Sequence, residues 1–72
     1  MKTTIFIQGQ EVNVDLVEYL RIEFNFAQAN NVTLMLDDKN NNSLFYHYVT
    51  INEAFNIVKL IKILKQNDNN EE

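Results

Sequence analysis

The chain has 72 residues, no cysteine, one histidine (His47) and one glycine (Gly9), which excludes a disulfide framework, a thiolate metal site and a histidine-based structural zinc site. A net charge of −4 argues against a general nucleic-acid binder held by phosphate contacts. A domain this short buries only about 60% of the surface its unfolded chain exposes, so 46% hydrophobic residues must supply either a tightly packed core or an oligomer.

Thr3 to Gln8 is β-branched and alternating, and Glu11-Val12-Asn13-Val14 alternates again. Gly9-Gln10 between them predicts a two-residue hairpin of type II′, with glycine taking the positive φ. Asp15-Leu16-Val17-Glu18 has the form of a capping box, in which Asp15 accepts from an early backbone N–H and Glu18 reaches back. It predicts a helix with Leu16, Tyr19, Leu20, Phe24 and Ala27 on one face, widened by Ile22 and Phe26. Leu20 to Phe26 also alternates strictly, which is the strand pattern; that alternative makes the middle of the chain a β-meander. Asn30-Asn31 ends the element. Val32 to Leu36 predicts a strand, Asp37 to Asn42 a turn of residues that tolerate left-handed backbone, and Ser43 to Val49 the returning strand. Thr50-Ile51-Asn52-Glu53 is a second capping box. The helix it opens runs to about Gln66, with Ala54, Ile57, Val58, Ile61 and Leu64 as its core stripe. A shift of 35 residues superposes the two boxes (Val14 to Glu18 on Val49 to Glu53), as an ancient duplication or, the preferred reading given the low identity beyond the cap, the repeated grammar of ββα units would.

The expected fold is therefore α+β: two hairpin–helix units in the order ββαββα, with an antiparallel four-stranded sheet and both helices on one face. Residues 1–66 form a single domain, and 67–72 form a polar, acidic, disordered tail. Ile5, Ile7, Leu34 and Leu36 point towards the helices. Phe6 and Met35 point outwards, and the strand from Leu44 to Val49 is apolar on both faces, so whichever set packs inward, aromatics or aliphatics remain outside. Leu60 and Ile63 flank the stripe of the last helix. This surplus of apolar surface marks Phe6, Met35, Tyr46, Tyr48, Leu60 and Ile63 as a dimer or partner interface, and a two-fold homodimer is expected. Glu11, Asp15, Glu18, Glu23, Asp37 and Asp38 are the candidate acidic contacts. Residues 1–58 hold seven acids against three basic residues, and a negative surface suits a site built for DNA phosphates.

Reactive constellations are sparse. The single serine, Ser43, lies four residues from His47, about 13 Å along a strand at roughly 3.3 Å per residue, so no nucleophile–base pair is expected and the chain is read as non-catalytic. His47, between Tyr46 and Tyr48, reads as a partly buried strand histidine or as a contact in an aromatic interface. Asp38 to Ser43 resembles the start of a calcium loop, but the sixth position is Ser43 and the twelfth Val49, where that loop needs glycine and a bidentate glutamate. No metal or cofactor is expected. Met1-Lys2 opens no secretory signal, no apolar run approaches the roughly 20 residues that span a bilayer, and the lack of cysteine suits a cytoplasmic setting.

The size, the acidity, the twelve asparagines and seven isoleucines, and the hairpin Val32-Thr33-Leu34-Met35-Leu36-Asp37-Asp38 … Phe45-Tyr46-His47-Tyr48 leading into a helix resemble small phage-encoded inhibitors of host proteins. The nearest types are the uracil-DNA glycosylase inhibitors and the phage inhibitors of the bacterial DNA sliding clamp. The resemblance covers about the second half of the chain. It implies a dimeric acidic DNA mimic in the host cytoplasm that blocks the DNA-binding surface of a replication or repair protein, with no direct contact to nucleic acid or membrane. A small regulatory or structural homodimer is the alternative. A third reading is a nucleic-acid binder that uses Lys59, Lys62 and Lys65; the same lysines also complement the helix dipole.

Overall fold

A computed structural model describes residues 3–25, 27 and 30–70. In chain order the elements are β1 (Thr4–Ile7), β2 (Gln10–Asn13), a 3₁₀ turn (Val14–Leu16), β3 (Tyr19–Phe24), β4 (Asn31–Asp37), β5 (Ser43–Thr50) and α1 (Ile51–Asn70). The strands form two separate antiparallel sheets, the β1–β2 hairpin and a three-stranded meander of order β3-β4-β5. This corrects the expected ββαββα order: the described residues form five strands in two sheets and one helix, not a four-stranded sheet carrying two helices. Phe26, expected on the first helical face, and Glu71 and Glu72 of the expected disordered tail lie outside the described residues. No described helix is long and apolar enough to cross a membrane.

The first hairpin turns on Gln8-Gly9, with Ile7 opposite Gln10. Both turn residues have positive φ, 53° and 82°, which is a type I′ loop and not the expected II′ loop at Gly9-Gln10. Two bonds close the open end. Val14 N–H donates to Thr3 O at 2.8 Å, and Thr3 N–H donates to Asp15 Oδ2 at 2.8 Å.

That second bond explains the missing first helix. The Asp15 carboxylate is committed back across the hairpin, and Asn13 caps the 3₁₀ turn instead, accepting from Asp15 N–H at 3.0 Å. Val17 is already extended, and Glu18 N–H donates to Asp37 O at 2.8 Å, so the chain enters β3 beside β4. The strict alternation from Leu20 onward then prevails: Leu20 and Ile22 pack against the core while Tyr19, Arg21 and Glu23 stay exposed. β3 pairs with β4 without a shift, from Tyr19 opposite Asp37 to Phe24 opposite Val32.

The second capping box forms as expected. Glu53 N–H donates to Thr50 Oγ1 at 3.1 Å, and Thr50 N–H donates to Glu53 Oε1 at 3.1 Å. Ile51 N–H also donates to Asn30 O, which fixes the start of α1 beside the start of β4. The helix packs against β4, β5 and the 3₁₀ turn, and Lys65 Nζ donates to Val17 O at 2.7 Å. Its backbone continues to Asn70, past the expected end near Gln66. Val32, Leu34, Leu36, Phe45 and Val49 of the meander, Ile7 and Val12 of the hairpin, Val14 and Val17, and Ala54 and Ile61 of α1 make one buried core. All of it lies on one face of the meander, and this arrangement sets what the other face presents.

Candidate binding surface

Alternation places Thr33 and Met35 of β4 opposite the core face. The pairing registers set them in transverse rows: Glu23, Thr33 and Tyr48; Arg21, Met35 and Tyr46; Tyr19, Asp37 and Ser43. The central residues are covered, Met35 at 4% and Thr33 at 8% exposure. The flanking tyrosines are not; Tyr19, Tyr46 and Tyr48 are about half exposed or more. The outer face is thus a buried floor between two walls, one of tyrosines on β5 and one of Tyr19, Arg21 and Glu23 on β3. A shallow hollow of about 370 Å³ opens between Glu23, Phe24, Thr33, Tyr46 and Tyr48.

Of the apolar residues expected at an interface, Phe6, Tyr46, Tyr48, Leu60 and Ile63 are exposed, and Met35 points outward but is buried. They do not share one surface. Tyr46 and Tyr48 stand on the outer sheet face, Phe6 on the hairpin, and Leu60 and Ile63 on α1. Tyr19 and Arg21 complete the outer face, and neither was among the contacts expected from sequence; Phe24 is exposed too, on the core side of β3 at the rim of the hollow. His47 is exposed, with its ring edge-on to Phe45 at 5.1 Å between centroids.

The six candidate acids lie in three places. Asp15, Glu18, Asp37 and Asp38 gather where the 3₁₀ turn, the start of β3 and the β4–β5 turn meet, around hollows that Glu18 shares with Asp37 on one side and with Asp15 and Asp38 on the other. Three of the four are engaged within the chain. Asp15 holds Thr3 N–H, and Asp37 pairs with Arg21 Nη2 at 3.3 Å. Asp38 accepts from Asn40 N–H and Asn42 N–H, both at 2.9 Å. The Asn42 amide foremost, then the Asn40 amide, holds the Asp38 carboxyl below the usual aspartate range. A lowered folded value means the turn gains this stabilisation above the unfolded aspartate value, near pH 3.9, and loses it as pH falls through the folded one. Glu11 stands apart on β2, and Glu23 lies about 13 Å along β3 from Tyr19, at roughly 3.3 Å per residue. Within one chain these six acids form no continuous array.

Lys59 and Lys62 are exposed on α1, but Lys65 turns inward to Val17 O, so the three lysines form no stripe. Among the described residues, no group of three or more His, Cys, Asp or Glu side chains is placed to hold a metal ion. Comparison with protein-family models, with characterised proteins and with solved structures finds no match to this chain.

Proposed function

We propose that this chain is a small, acidic, non-catalytic binding protein that works as a two-fold homodimer and docks on a protein partner through the outer face of its meander. The partner class that the sequence resemblance implies is a DNA-processing protein of a bacterial host, such as the sliding clamp, with its DNA-binding surface blocked and replication or repair shut down as the consequence. The observation that carries the reading is the tyrosine-walled face itself. Tyr19, Tyr46 and Tyr48, each about half exposed or more, stand out over a covered Met35 and Thr33. Tyrosines of this kind supply large, stiff, amphipathic contact area and are enriched where binding energy concentrates. The acids support docking less well, because Asp15, Asp37 and Asp38 are already committed inside the chain.

The test uses the full chain as bait in a bacterial lysate, with bound proteins identified by mass spectrometry. The intact chain should retain a DNA-processing protein, and the Tyr46→Ala/Tyr48→Ala double variant should lose at least about 2 kcal/mol of affinity, the size of a binding hot spot. Glu11→Lys with Glu18→Lys should leave capture intact. Capture abolished by the lysines and spared by the alanines would move the site from the tyrosines to the acids. Recovery of no DNA-processing protein counts against the inhibitor reading and leaves a regulatory or structural dimer.

A further inference from the structure

β3 is an edge strand, bonded to β4 on one side only. Its other side pairs with no strand among the described residues and presents a row of backbone N–H and C=O groups, a template for a further strand. Such edges are usually blunted by proline, a bulge, an inward-pointing charge or short length. β3 has six residues, runs in unbroken register with β4 and has no proline, since the chain contains none.

Its side chains are unfinished on both faces. On the core side Leu20 and Ile22 are only partly buried and Phe24 is 64% exposed, because α1 packs mainly on β4, β5 and the 3₁₀ turn. On the outer side Arg21 and Glu23 are both exposed, carry opposite charges and stand two residues apart; Arg21 Nη2 also lies 3.3 Å from Asp37 Oδ2, with the Arg21 side chain still 62% exposed.

We infer that β3 is the dimer edge, pairing antiparallel with a second copy of itself about a two-fold axis through Ile22. In that register Arg21 stands opposite the partner's Glu23, and Glu23 opposite the partner's Arg21. On the core side Ile22 meets its own copy, and Leu20 meets the partner's Phe24. Neighbouring registers fail. A slip of one residue turns apolar side chains to the polar face. A slip of two sets either Arg21 or Glu23 against itself, and like charges directly opposite destabilise a pair. The product is one six-stranded antiparallel sheet with the tyrosines of both copies on a single outer face. The inference rests on the homodimer proposed above and names its surface.

Sedimentation of the full chain tests it. The intact protein should run at twice 8.5 kDa at micromolar concentration. Arg21→Glu and Glu23→Arg should each weaken self-association by about tenfold or more, since each sets two like-charged pairs across the axis. Mixed in equal amounts, the two variants should dimerise with each other, because residue 21 of one then faces the opposite charge at residue 23 of the other. Native mass spectrometry reads the mixed species, and circular dichroism checks that each variant is folded. A mass near 8.5 kDa for the intact chain would overturn the dimer and the edge together. A dimer indifferent to both substitutions would overturn the edge alone, and a mixture that fails to pair would overturn the register.

Discussion

Gly9 and Gln8 are both held at positive φ, yet they are held there differently. A Cβ added at Gly9 meets no atom within 4 Å, so the cost of a side chain at this position is purely one of backbone conformation. Gly9→Ala should destabilise the protein by about 1 kcal/mol, the cost of left-handed backbone for an ordinary residue. Gly9→Asn should cost less, since asparagine visits that region more readily. Urea midpoints at constant slope measure both, and equal costs for the two would show that the glycine is not needed for its φ. Gln8 has no such freedom, and its conformation is supported from a distance: its Nε2 donates to Tyr48 O, 40 residues along the chain. That is why the sequence places the glycine in a two-residue turn but sets the turn one residue late. A glutamine with positive φ gives no local signal, and the bond that helps to hold it depends on the folded sheet.

The two capping sequences show what one element's grammar can and cannot decide. Thr50 and Glu53 make reciprocal bonds, and the residues after them repeat at helical spacing, with Ala54 and Ile61 buried and Ile57, Val58 and Leu64 partly so. Cap and period agree, and α1 was legible. Asp15 and Glu18 have the same spacing, but the period that follows is two, and the Asp15 carboxylate is taken by Thr3 N–H twelve residues earlier. Cap and period conflict there, and the period decides. The misreading also hid half of the binding surface, because Tyr19, Arg21 and Glu23 share a face only if β3 is a strand. Tyr46 and Tyr48 were legible as candidates because β5 carries more apolar residues than one face can bury, but which set faces outward is fixed only by the packing of Phe45 and Val49 into the core. The working cap should be separable by mutation. Thr50→Ala removes the acceptor for Glu53 N–H and should cost about 1 kcal/mol, read by chemical denaturation, with the loss of helical signal confined to the start of α1 in hydrogen exchange. A change below a few tenths of a kcal/mol would mean that the Asn30 O bond to Ile51 alone fixes the helix start.

At the scale of the whole molecule, one helix and one hairpin must close the core of a three-stranded sheet while leaving its other face open. The molecule is long for its size, 44 × 23 × 20 Å. A helix of 20 residues spans about 30 Å at 1.5 Å per residue, longer than the strands it covers, and its last described attachment is Lys65 to Val17 O. Ile61, in its C-terminal half, is fully buried at 0% exposure, while Ile63 two residues later is 46% exposed. Ile61→Ala should therefore cost about 2–5 kcal/mol through lost burial and the cavity left behind. For a chain of this length, total stability at roughly 0.05–0.15 kcal/mol per residue is on the order of 4–11 kcal/mol, so that single change removes a large share of it. Ile63→Ala should stay within about 0.5 kcal/mol. Both should be measured by urea denaturation at one protein concentration, because dimerisation makes apparent stability depend on concentration. A mild Ile61→Ala would mean that the hairpin and sheet close the core without the second half of α1. A costly Ile63→Ala would mean that this exposed position is covered in the assembled protein, which would place the dimer contact on α1 and not on β3.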